Sequence, residues 1–147
     1  MKSLRLLALF AVCLLVMWGF QWDAIGWDWK FLGMSEDFYF FYDAESMNKT
    51  PEGTVSLWMG LIPLGDKVRD RYLQDRKRAG LNIVGYENYE YDRKLIKVNC
   101  LDRALRIVQR IDFGKKDEVL GSHHYNEEWH SIPPQSAGQA LFEVVCP

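Results

Sequence analysis

All three histidines of this 147-residue chain fall within the octapeptide HHYNEEWH, residues 123–130, together with the carboxylates Glu127 and Glu128. Imidazoles interleaved with carboxylates are zinc-ligand chemistry. On a helix, His123, Glu127 and His130 would share one face at i, i+4 and i+7. The helical zinc motif His-Glu-x-x-His is absent, however, and so is its inverse, because residue 128 is Glu where a histidine is required. On a strand, His123 and His124 would point to opposite faces. The segment therefore reads as a solvated loop, with His123, Glu127 and His130 a weak metal candidate. Nucleophilic chemistry has little support. Ser122 adjoins His123, but a triad is defined by geometry and not by adjacency. Ser136 is better used as a helix cap, and no glycine-rich phosphate loop is present. The expectation is a protein that is not an enzyme and needs no cofactor.

The elements that would position these residues read as mostly β. Residues 27–33, WDWKFLG, alternate Trp27, Trp29 and Phe31 against Asp28 and Lys30, predicting a strand with that aromatic side buried. DFYFFYD, residues 37–43, is aromatic on both sides. It is either covered twice or meets a partner. TVSLWMGLI, residues 54–62, puts Val55, Leu57, Met59 and Leu61 on one face and Trp58 on the other. Residues 65–80 predict a peripheral helix with a thin stripe of Val68, Tyr72 and Ala79, stopping at Gly80. Residues 88–125 predict an antiparallel meander. In it Ile96, Val98 and Cys100 share a face, and Leu105, Ile107, Ile111 and Phe113 share a face opposite Arg106, Val108 and Arg110. At the end, Pro133 and Pro134 impose an extended approach. Ser136 with Gln139 three residues later matches a capping box, and Leu141, Val144 and Val145 form the apolar stripe of a short helix.

Composition narrows the class. The aromatic share is 14%, with 6 Trp, 7 Tyr and 8 Phe, which favours a β-rich core. A net charge of −2 excludes a general nucleic-acid binder. Basic residues do cluster in KVRDRYLQDRKR, but acids interleave with them. Lys2 and Arg5 precede an unbroken apolar run over residues 6–20, the length of a signal-peptide core and short for a membrane span. Ala24 and Gly26 suit cleavage before Trp27, so residues 1–26 are expected to be a signal peptide and 27–147 the exported domain. The alternative is an uncleaved anchor, the one expected route to a membrane. Cys13 follows Val12 inside the apolar run, a poor lipidation context. Cys100 and Cys146 remain, and two cysteines in an exported domain read as one disulfide. It would pin the terminal helix to the inner face of the meander.

With these pieces in place, the chain resembles the surface-adhesin protein E-like domain family of bacterial exported proteins. The resemblance rests on FYDAESM (41–47), VSLW (55–58), VNCLDRALRI (98–107) and WHSIPPQSAGQALFEVVC (129–146), in that order. It covers residues 27–147. It implies an α+β fold, a bent antiparallel sheet with a C-terminal helix on its concave face, held by the two cysteines. It also implies exposure in the periplasm or at the cell surface. The family's namesake is an adhesin for host extracellular-matrix and serum proteins, so protein ligands are the implied partners. The namesake is lipid-anchored, and the Cys13 context departs from that. The resemblance carries over no binding residues.

The residues themselves suggest where a partner would sit. Tyr39, Phe41 and Trp58 lie opposite the core positions of their strands and form a candidate interface, unless the helix at 65–80 or the first strand covers them. The leading expectation is an exported, non-enzymatic binding or adhesin-like protein. The alternatives are a periplasmic assembly protein acting as a homodimer and, third, a small hydrolase using His123, Glu127 and His130.

Overall fold

The computed structural model describes residues 28–146. The expected signal segment, its cut before Trp27, and Cys13 lie outside the described residues. The elements are β1 (Trp29–Met34), β2 (Phe38–Asp43), β3 (Asn48–Lys49), β4 (Thr54–Pro63), α1 (Asp66–Arg78), β5 (Tyr89–Asn99), β6 (Ala104–Gly114), β7 (Val119–His124), β8 (His130–Ser131) and α2 (Ala137–Val145). The strands form one antiparallel sheet in the order β1-β2-β4-β5-β6-β7, with β3 added beside β4 and β8 beside β6. This is an α+β domain in which α1 is carried on the connection between β4 and β5 and α2 follows the last strand.

The apolar core lies on one face of the sheet. The period-two alternation of β4 buries Val55, Leu57, Met59 and Leu61, and register carries the layer across to Ile96 and Val98 of β5. From β2, Phe38, Phe40 and Tyr42 pack against the same layer. α2 closes it with Leu141, Phe142 and Val145. Phe142, rather than the expected Val144, completes the buried stripe, and Val144 is exposed. The difference arises because α2 packs with its Gly138 side close to β6: a Cβ on Gly138 would stand 2.8 Å from Leu105 Cδ2. Phe142, four residues on, shares that face of the helix.

A nine-residue helix is marginal alone, and two devices hold α2. The Ser136 hydroxyl accepts from the Gln139 N–H at 3.1 Å, satisfying one orphan donor of the first turn. The Gln139 side chain turns outward instead of closing the capping box. Its Oε1 accepts from Arg103 at 2.8 Å, and its Nε2 donates to Glu143. At the other end Cys100 and Cys146 are bonded, with Cα atoms 5.5 Å apart.

Two β-bulges redirect the second half of the sheet. Opposite Leu95 and Ile96, β6 carries an extra residue, Val108. Leu105 and Ile107 face the helices, but past the bulge Ile111 and Phe113 turn to the other face. Arg110 and Asp112 take their place on the helix side. The strict alternation expected for β6 therefore fails at Val108, as one inserted residue exchanges the faces of all that follow. A second bulge at Glu90 puts Tyr89 on the helix side beside Asp92, while Tyr91 stays opposite. β1 also departs from expectation. Trp29 and Phe31 do share a face, but it is the face away from the core, and Phe31 is exposed. Leu32 is the β1 residue packed on the core.

Candidate functional site

The bulges assemble a buried polar cluster under α1. Asp112 is fully buried and accepts four hydrogen bonds: from Tyr72 at 2.9 Å, Tyr86 at 2.7 Å, Arg76 at 3.3 Å and Arg110 Nε at 2.8 Å. Asp92 accepts from Tyr89 at 2.9 Å and from Arg110 at 2.8 Å. Burial pushes the Tyr72, Tyr86 and Tyr89 hydroxyls up, and the carboxylates they donate to push them further. The phenols thus remain donors at any physiological pH. Burial also raises the Asp92 carboxyl, against the pull of Arg110. Lys94, on the same face, is lowered by burial despite the nearby Asp92. Tyr72, Tyr86, Tyr89 and Arg110 all donate to the Asp92 and Asp112 carboxylates, and Arg76 divides its donors between Asp112, the Tyr72 hydroxyl and the Asn82 carbonyl. That is the chemistry of an anchor for α1, not of a free acid or base. It corrects the expectation of a thin apolar stripe: α1 buries Val68 and the Arg76 guanidinium, which also stacks 3.8 Å from the Tyr86 ring centre.

The HHYNEEWH segment does not form a helix. His123 and His124 end β7, residues 125–129 run irregularly, and His130 opens β8. His123 pairs with Arg110 in register and His130 with Leu105. Glu127 accepts from the Ile107 N–H. The i, i+4, i+7 face required by the metal candidate His123, Glu127 and His130 is therefore not made. Among the described residues no group of three or more His, Cys, Asp or Glu side chains is placed to hold a metal ion. His123 and His124 instead border a cavity of about 450 Å³ with Tyr72, Arg76, Arg110 and Tyr125, where Arg110 is bonded to Asp92 and Asp112 and Arg76 to Asp112 and the Asn82 carbonyl.

The opposite face of the sheet is built differently. Trp29 and Phe31 of β1, Tyr39 and Phe41 of β2, Trp58 and Ile62 of β4, and Tyr91 and Phe113 of β5 and β6 all point away from both helices. Phe31 meets Phe41 edge-on at 5.5 Å and Tyr39 at 6.4 Å. Phe31 is 59% exposed, and Tyr39 and Ile62 are each 38% exposed. Phe41 and Trp58 are half-buried. α1 lies on the other side of the sheet, and β1 extends the aromatic row instead of covering it.

Within this face Trp29, Phe41, Gly60, Ile62, Tyr91, Arg93 and Asp117 line a shallow hollow of about 280 Å³. Gly60 makes room for it, since a Cβ there would stand 3.2 Å from the Trp29 ring. The Arg93 guanidinium lies 5.3 Å from the Trp29 ring centre, 4.6 Å from Phe113 and 5.4 Å from Tyr91. Tyr91 stacks on Phe113 and donates to Asp117. Burial, with this bond, pushes the Tyr91 hydroxyl up to about 12. The hollow is near the lower limit of small-molecule sites. It suits one side chain or one ring better than a whole ligand.

Of these residues the sequence pointed to Tyr39, Phe41 and Trp58. It did not point to Phe31, Gly60, Ile62, Tyr91 or Arg93. Phe31 reads from the sequence as lying on the buried side of β1, whereas Tyr91 lies on the face opposite Ile96 and Val98 by simple alternation along β5.

Fold and faces together define a disulfide-closed α+β domain with one sheet face sealed by helices and the other left aromatic and open. The sequence profile of the family described as surface-adhesin protein E matches residues 29–147, and the chain belongs to that family. No curated protein and no solved structure matches the chain. The family supports an adhesin-like, exported character. No helix among the described residues is long and apolar enough to cross a membrane.

Proposed function

We propose that the protein is a non-enzymatic binding protein of the bacterial envelope, exported behind residues 1–26, which engages protein ligands through its aromatic sheet face. In this reading the helices fill the concave side and the convex side is left for the partner, with Tyr39, Phe41 and Trp58 at its centre. The observation that carries it is the contiguous exposure of Phe31, Tyr39 and Ile62 on a face that no element among the described residues covers. Contiguous apolar surface on a soluble domain marks an interaction site, and aromatic anchors dominate such interfaces. Family membership supports the adhesive character.

Adhesion of intact cells to a layer of extracellular-matrix protein tests the reading. Cells carrying the wild-type protein should adhere better than cells lacking it, and a Phe31→Ser/Ile62→Asp variant should behave like the deletion. Equal adhesion with and without the protein would overturn the reading. The same face is where a periplasmic homodimer would form. Light scattering separates the two, because the adhesive reading expects a monomer whose mass is unchanged by Trp58→Ser.

A further inference from the structure

Along β5 the open face reads Tyr91, Arg93, Leu95, Lys97. The hollow occupies the first two positions. Leu95 stands beside Trp58 in register and continues an apolar floor. Beyond it, Lys97 is paired directly with Arg106 of β6. Like charges directly opposite one another destabilise a sheet. Neither Lys97 nor Arg106 makes an ion pair with any described residue. The Arg106 guanidinium lies 4.8 Å from the Trp129 ring centre, and its Nε is buried without an acceptor. The other like-charge pair of this ladder, Lys94 with Arg110, sits on the helix side and is compensated by Asp92 and Asp112. The pair on the open face has no such internal compensation.

We infer that this strip seats an extended acidic segment of a partner protein, with an apolar side chain in the Gly60–Ile62–Tyr91 hollow and carboxylates on Lys97 and Arg106. The inference rests on the binding role assigned above to the open face and adds the chemistry of the partner. Charge complementarity selects an anion at one end, and the apolar hollow selects an apolar anchor at the other. A sulfated glycan would supply the charge but leave the hollow empty. Arg93 and Lys97 are four strand residues apart, about 14 Å at ~3.4 Å per residue. An extended partner must therefore carry its Asp or Glu roughly four positions from its anchor.

The test is selection of a displayed random-peptide library on the purified protein, followed by affinity measurement of the enriched peptides. The expected pool has Trp, Phe or Leu followed about four residues on by Asp or Glu. Its affinity should fall with added salt. It should drop at least tenfold with Lys97→Glu/Arg106→Glu, and separately with Gly60→Ala, in variants whose thermal midpoints match the wild type. Peptides with Lys in place of the acids should regain binding to the charge-reversed variant. A pool without acids, no enrichment, or binding indifferent to Lys97→Glu/Arg106→Glu would overturn the inference. So would heparin binding that ignores Gly60→Ala, or self-association lost on charge reversal. If cell adhesion is lost with Phe31→Ser/Ile62→Asp but kept with Lys97→Glu/Arg106→Glu, this inference fails while the role of the face stands. If neither variant changes adhesion, both fail.

Discussion

At the scale of single residues, Asp112 carries the most weight. Its carboxylate is the common acceptor for two tyrosines and two arginines, so removing its charge leaves Arg76 without its carboxylate and Arg110 with Asp92 alone. Breaking a buried charge pair on one side costs about 3–5 kcal/mol. Asp112→Asn is therefore expected to lower urea-unfolding stability by about 3 kcal/mol, and α1 should lose hydrogen-exchange protection first. Lys94 behaves oppositely. Its folded-state pKa lies below the lysine reference of 10.5, chiefly through burial. Its charge therefore opposes folding below the lowered value, and the penalty fades as pH rises toward the reference. Lys94→Met should be more stable than wild type at pH 7, on the order of 1 kcal/mol. Urea midpoints of the two proteins should converge as pH rises toward the 10.5 reference. A gap that widened with pH would contradict this account.

At the scale of elements, α2 depends on its tethers. Cross-linking across 46 residues stabilises by about 4 kcal/mol in the chain-entropy account. Cys100→Ser/Cys146→Ser should lose about that much by urea unfolding, and Ser136→Ala, which leaves the Gln139 N–H without its acceptor, about 1 kcal/mol. A circular-dichroism spectrum unchanged in both would argue that packing alone holds the helix. The same elements show what was legible in the sequence. β4 was readable residue by residue because its alternation is unbroken. The terminal helix was readable because Pro133, Pro134 and Ser136 punctuate it. The Cys100–Cys146 bond followed from two cysteines in an export context. β6 was misread because a bulge carries no compositional mark: Val108 looks like any strand residue, yet it moves Arg110 and Asp112 to the helix side and Phe113 away from it. The polar anchor of α1 was hidden for the same reason. Phe31 was misassigned because alternation tells which residues share a face, not which face is covered.

At the scale of the molecule, the sheet separates two tasks. Its helix side holds the apolar core, the disulfide and the Asp112 cluster, and so carries stability. Its open side carries aromatic surface whose truncation removes little buried area. Phe31→Ser should thus change unfolding free energy by no more than about 0.5 kcal/mol, as exposed substitutions do, while abolishing adhesion. Asp112→Asn should do the reverse, losing stability but keeping adhesion at temperatures where the domain remains folded. The two sites share no partner and lie on opposite faces, so their effects on unfolding should add within about 0.5 kcal/mol in the double variant. Urea curves of wild type, both single variants and the double variant measure this, with adhesion assayed on each. Non-additivity above about 1 kcal/mol, or loss of adhesion by folded Asp112→Asn, would mean that the α1 anchor shapes the open face through the sheet. The β5 and β6 bulges would then be the elements through which the two faces communicate.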